Sequence, residues 1–305
     1  MKPPKLPNIK NYVHKDTKFI KPNDRSHLGL NVPEIMMEYG KSSSPFKMQL
    51  PILDKLLCTI YNMKKSYSTV KNNPVEDKRN ADEDLFQEIE AFAKSLGCNA
   101  IGYTKVDNHM IYSNKEILYP NAIVLTMEMD YEPISHAPST TSLKEIFRTY
   151  RDLGVTVNKL ATLLRKNGFQ VQAGPALGGD VNYPMLAQKA GLGICGKHGL
   201  LISPGVGSRQ RIAAVYTNIE NLPYTDNHKY DWIKDFCANC GKCARKCPAQ
   251  AIYSKTKIFD NGTKQHIDFK KCAVPFSNDY GCSICVKECI FSNKSYEEIK
   301  SNFLK

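Results

Sequence analysis

Cys237, Cys240, Cys243 and Cys247, set in FCANCGKCARKCP with proline after the fourth, constrain this chain more than any other feature. Three thiolates on a tight loop can reach three irons of one cubane. The fourth lies on the next helical turn and faces away toward a second cluster, as in bacterial ferredoxins. A partner set follows: Cys272, nine intervening residues, then Cys282, Cys285 and Cys289. The order predicts two 4Fe-4S clusters, the first on Cys237, Cys240, Cys243 and Cys289 and the second on Cys247, Cys272, Cys282 and Cys285. The gap after Cys272 is wider than a ferredoxin repeat has, and Ile290 stands where proline would follow Cys289, but neither change removes a ligand. Structural zinc also uses CxxC pairs; eight thiols in this order favour clusters instead.

Between the sets, Asn261-Gly262 is a two-residue turn signal flanked by Ile258-Phe259 and Ile267-Phe269, where a ferredoxin-like domain has a β-ribbon. No apolar run is long enough to cross a bilayer, and MKPPKLPNIKNY offers neither an apolar signal core nor paired arginines. The expectation is a cytoplasmic protein without a membrane segment. Its eleven cysteines would stay reduced there and serve as metal ligands in preference to disulfides.

The formal net charge is +12, but residues 1–80 carry 15 Lys and Arg against 7 Asp and Glu, so eight of the twelve excess charges sit there. A solvated basic arm is the plain reading of that segment, and contact with RNA or an acidic partner is the sharper one. Residues 1–80 read as an extended wrapping segment with one apolar patch, Met48 to Tyr61, that could be a helix. Asp82 then precedes Leu85, Phe86, Ile89, Phe92, Ala93 and Leu96, which is helical spacing closed by Gly97. Ala100–Tyr103 and Ala122–Met127 read as buried strands. From about Ser142 a second helix carries the stripe Leu143, Ile146, Tyr150, Leu153, Val157, Leu160 and Leu164, with Gly168 as its cap and a strand over Phe169–Gln172. Residues 174–211 are dense in glycine around a short helix near Met185–Ala190, and Arg211–Thr217 is one more strand.

The stretch YPMLAQKAGLGICGKHGLLISPGVGSRQRIAAVYTN, followed by the two cysteine sets with the stretched second spacing, resembles the corrinoid-dependent iron-sulfur reductases. That family includes reductive dehalogenases and epoxyqueuosine reductases, and the similarity covers roughly residues 83–292. The resemblance implies an α+β fold class, a nitroreductase-like core holding cobalamin with its lower base detached, followed by a bacterial-ferredoxin-like domain with two 4Fe-4S clusters. The expected parts are a basic extension over residues 1–80, a catalytic core over 81–225, a cluster domain over 226–295 and a tail over 296–305.

The same resemblance makes Tyr150, in FRTYRDL, a proton donor, and Arg211, in GSRQR, the basic residue that lowers its pKa and neutralises the developing anion. Gly191, Gly193, Gly196, Lys197, Gly199 and Gly207 are expected at the cofactor, since backbone N–H groups can meet a phosphate-bearing ligand. Epoxyqueuosine reductases carry an acid and a histidine around this tyrosine, where this chain has Thr149 and Arg151. Dehalogenases place an asparagine before the YPMLAQKAGLG helix, where the nearest polar residues here are Asp180 and Asn182. The implied reaction is reductive removal of a halide or oxygen-type leaving group from a small molecule or from tRNA, with ferredoxin or flavodoxin as electron donor. From the residues alone, Tyr150 also suits a core position and the glycines suit tight turns. An electron carrier that docks a partner and binds no corrinoid remains the rival from another class.

Overall fold

A computed structural model describes residues 7–23, 31–40, 50–225, 228–260 and 262–305. A strand apolar without alternation must be covered on both faces. Asn121–Glu128 (β2) is such a strand, with seven of its eight residues buried. It pairs antiparallel with Ala100–Lys105 (β1) on one side. On the other it pairs with Gln210–Thr217, and Val171–Ala173 (β3) completes the four-stranded antiparallel sheet beyond it. Ile194–Cys195 (β4) and Leu201–Ile202 (β5) form a small separate hairpin, which makes Gln210–Thr217 the sixth strand, β6. The architecture is α+β. Among the described residues no helix is long and apolar enough to cross a membrane.

The helices take their bounds from local caps. Asn31 opens Val32–Tyr39 (α1) with a capping box, its side chain accepting from the Glu34 N–H while Glu34 accepts from its own. Leu53–Ser68 (α2) follows, within the segment read from sequence as a wrap. Asp82 caps Glu83–Ser95 (α3) as expected. After the short Tyr131–Ser135 (α4), Ser139 and Ser142 cap each other at the start of Thr140–Lys166 (α5), two residues ahead of the expected start. The whole predicted stripe of α5 is buried, and Leu153, Val157, Leu160 and Leu164 are fully enclosed. Each such side chain contributes about 1.5–3 kcal/mol through burial.

Buried polar contacts fix α2 against the core. It crosses α5 at Gly154, where a Cβ would lie 3.3 Å from the Asn62 Cβ. Asn158 Nδ2 donates there to the carbonyls of Gly154 at 2.8 Å and Asn62 at 3.1 Å. At the end of α2 the Tyr67 hydroxyl donates to the buried Asp180 carboxylate at 2.7 Å, and Gln172 Nε2 donates to its other oxygen at 3.1 Å. Burial pushes the Asp180 carboxyl up to about 7 against these donors. Because the folded acid holds its proton to higher pH than the unfolded one, its contribution to stability is complete below about pH 4 and is lost as pH rises through about 7. Tyr67→Phe should therefore cost about 1–3 kcal/mol in chemical denaturation at pH 8, where a buried carboxylate loses a donor, and less at pH 5. Equal losses at the two pH values would show that Asp180 does not titrate between them.

The C-terminal part is built on a second core. Trp232–Cys240 (α7) and Lys242–Lys246 (α8) are separated only by Gly241 in left-handed conformation, φ 55°. The Trp232 ring lies 5.4 Å from Tyr296, and Phe236 lies 5.0 Å from Phe291. Residues read from sequence as a tail form Tyr296–Phe303, whose Tyr296 and Phe303 close on Trp232. Ile252–Ile258 (β7) and Lys264–Ile267 (β8) make the expected ribbon; Asn261 of its turn signal lies outside the described residues. Phe269 opens Phe269–Asn278 (α9) instead of extending the strand, because Asp268 accepts from the Lys270 and Lys271 N–H groups. Ile284–Lys287 is α10, and Tyr296–Phe303 is α11.

Candidate functional site: two thiol cavities beside a tyrosine–arginine pair

The eight thiols gather in two sets of four. Cys237 and Cys240 end α7, Cys243 lies in α8, and Cys289 arrives from the far side to line the same cavity. The left-handed turn at Gly241 lets the three local thiols converge. Cys247, Cys272, Cys282 and Cys285 line a second cavity of about 200 Å³. Cys282 and Ser283 take left-handed φ angles of 46° and 63°, a costly conformation for residues with side chains, and it turns this loop into the cavity. Burial, with the neighbouring thiols adding to it, pushes Cys272 up to about 12. Burial does the same to Cys237, also to about 12. Such thiols give up their protons to iron far more readily than to water. Each set rings a space and does not close on one point, which suits a cubane with one thiolate per corner.

Tyr150 and Arg211 meet at the edge of the second thiol cavity. Tyr150 projects from the middle of α5, and Arg211 from the start of β6 opposite Met127. The guanidinium carbon lies 4.7 Å from the centroid of the Tyr150 ring. Arg211 Nε is buried and has no partner among the described residues. Three cavities, of about 140, 200 and 400 Å³, all reach Tyr150 and Val32. The largest is walled by apolar groups such as Met36, Leu56, Ile146, Phe147 and Phe276, with Tyr150 and Ser277 among its few polar side chains. Tyr112 and Gln210 add polar groups to the smallest, and burial holds the Tyr112 hydroxyl well above its usual pKa.

The other sequence candidates take different places. A Cβ on Gly193 would lie 2.2 Å from the Ile202 carbonyl oxygen, and one on Gly207 would lie 2.2 Å from that of Phe291. Gly196 is likewise against Ile202 and Gly199 against His266, while Gly191 takes φ 72° at the turn closing the YPMLAQK helix. Gly193, Gly196, Gly199 and Gly207 thus meet protein, and the glycines lining the cavities that reach Tyr150 are Gly40, Gly178, Gly179 and Gly281. Lys197 lines the first thiol cavity and donates to the Ala238 carbonyl at 3.3 Å. Arg209 is a buried tie between the two cores, donating to the carbonyls of Ser292 and Met129 and to Glu128.

The profile of 4Fe-4S binding domains matches residues 230–253. The tetrachloroethene reductive dehalogenase of Desulfitobacterium hafniense is 36% identical over 184 residues, which is 55% of this chain and 32% of that protein. The epoxyqueuosine reductase of Listeria monocytogenes is 29% identical over 121 residues, 37% of this chain and 30% of that protein. The catabolic reductive dehalogenase NpRdhA, solved in complex with 3-bromo-4-hydroxybenzoic acid, shares the fold with TM-score 0.70 and 19% identity, over 95% of this chain and 46% of that one. This chain is a relative of the reductive dehalogenases and epoxyqueuosine reductases. It spans about a third of the length of the curated relatives it matches.

Around the tyrosine, this reductase relative has committed its own residues to structure. Thr149 is fully buried and its hydroxyl donates to the Ile146 carbonyl at 3.0 Å, while Arg151 pairs with Asp152. Asp180 is held by Tyr67 and Gln172, and Asn182 accepts from the Met185 N–H as the cap of Tyr183–Lys189 (α6). Sequence reasoning missed the α1 wall. The Asn31-x-Pro33-Glu34 pattern is a legible helix start, but nothing local says that Val32, Ile35 and Met36 lie over the site.

Proposed function

We propose that this chain is an iron-sulfur oxidoreductase in which two 4Fe-4S clusters, on the two thiol sets, pass single electrons to a cobalamin seated beside Tyr150 and Arg211. The reaction is reductive dehalogenation of a small apolar molecule: one C–X bond breaks, two electrons and one proton enter, and R–H and halide leave. The observation that carries this reading is that Tyr150, Arg211 and the four thiols Cys247, Cys272, Cys282 and Cys285 wall one cavity. Cys247, Cys272, Cys282 and Cys285 would hold a cluster there, and it would supply electrons beside the proton donor.

The residues present fit a corrinoid. The orphaned Arg211 Nε, the polar Tyr112 and Gln210 side chains, and three cavities opening on one tyrosine give room and polar contacts for a large ligand. When bound, cobalamin supplies a redox-active cobalt, which the side chains alone lack. The chain does the rest. The Tyr150 hydroxyl gives its proton to the carbon that loses halide, and the Arg211 cation stabilises the phenolate left behind. The apolar wall from α1, α5 and α9 keeps water from the reacting carbon and selects uncharged substrates. A low-potential protein such as ferredoxin or flavodoxin would reduce the clusters in a reducing compartment.

The test is anaerobic. Protein loaded with iron, sulfide and cobalamin is given reduced viologen and tetrachloroethene, and halide is measured. Release that depends on cobalamin is expected. No halide from fully loaded protein, with turnover instead of an epoxyqueuosine-bearing tRNA stem loop, would replace this reading with the tRNA-modifying one.

A further inference from the structure

Among the described residues, His198 alone is shared by the walls of the two thiol cavities. It is 4% exposed, in the loop that joins β4 to β5. The Leu200 N–H donates to its Nδ1 at 3.1 Å, so a neutral ring carries its hydrogen on Nε2. Nε2 is buried and has no partner among the described residues. A buried donor without an acceptor is costly, and native folds rarely keep one unless something absent from the protein itself accepts it. Both spaces that reach this ring are ringed by the thiols that would hold the clusters.

We propose that the His198 Nε2–H donates a hydrogen bond to a sulfur of one of the two clusters, at the gap electrons cross between them. The inference rests on the two-cluster reading and adds to it a residue that tunes the step from cluster to cluster. A hydrogen bond to a cluster sulfur favours the reduced, more negative state and raises that cluster's potential. His198 is a positioning residue: one cluster is oxidised, the other reduced by one electron, and the histidine changes neither bonds nor protons.

The experiment compares His198→Phe with His198→Gln in full-length protein carrying clusters, by redox titration followed with electron paramagnetic resonance. Both variants remove the Nδ1 acceptor, but only glutamine returns an N–H donor near the Nε2 position. In the Phe variant the reduction equilibrium of one cluster should fall about tenfold, which is about 59 mV for a one-electron couple, with the other cluster little changed. The Gln variant should recover most of that shift, and the cluster that moves is the one His198 serves. Unchanged potentials, or an equal shift of both couples in both variants, would overturn the proposal. The unsubstituted protein, labelled with 15N-histidine, gives a check that needs no variant: the reduced cluster should show coupling to a histidine nitrogen, and its absence would also overturn the proposal. Iron content separates the two failures. Unsubstituted protein with far fewer than eight irons counts against the two-cluster reading, whereas full iron with unshifted potentials counts only against His198.

Discussion

Tyr150→Phe is expected to lower cobalamin-dependent halide release by about a hundredfold or more while iron content and cobalamin binding stay at the level of the unsubstituted protein. The change is narrow. The ring keeps its place on the buried stripe of α5, edge-on to Phe147 at 5.9 Å and under the Arg211 guanidinium at 4.7 Å. Only the hydroxyl goes, and with it the proton that must reach the substrate carbon. A phenylalanine of the same shape leaves the apolar wall intact, so the loss should appear in turnover and not in cofactor retention. If the variant kept more than about a tenth of the activity, the proton would have to come from another group. Tyr112, whose hydroxyl is buried near the same cavity, would be the first to examine.

Much of this architecture is legible in the sequence where the signal is periodic or covalent. The seven-residue stripe of α5 is a repeating pattern that only a helix satisfies, and every member of it is buried. The cysteine order gives the division into two sets of four that the cavities show, because ligand spacing is set by how tightly a loop can turn around a cubane. The glycine-dense segment is different. Sequence shows that some backbone comes close at Gly193 and Gly207 but not what approaches it, and here it is the backbone of Ile202 and Phe291. The α1 wall was beyond reach for the opposite reason. Its helix start is written in Asn31 and Glu34, but the seat of an eight-residue helix on α9, with Tyr39 against Phe269, is decided by residues more than two hundred positions away. His198 shows the same limit: GKHG reads as loop, and only the fold makes it the wall between two thiol cavities.

The second large effect expected is binding of cobalamin, which should be all or none. An electron carrier has no need of the space where the three cavities reach Tyr150 and Val32, nor of an arginine whose buried Nε lacks a partner. A corrinoid reductase needs both, since its cofactor is large and carries polar groups around an apolar ring. Loss of the clusters should weaken binding as well, because Cys247, Cys272, Cys282 and Cys285 form one wall of that space. The deciding measurement is an anaerobic titration of cobalamin into protein holding close to eight irons per chain, followed by its visible spectrum and by paramagnetic resonance of the cobalt. The account predicts saturation at one cobalamin per chain, with the lower base displaced from the metal. Unchanged spectra of both cobalamin and protein throughout, in a preparation with full cluster content, would contradict it and leave an iron-sulfur electron carrier as the better description.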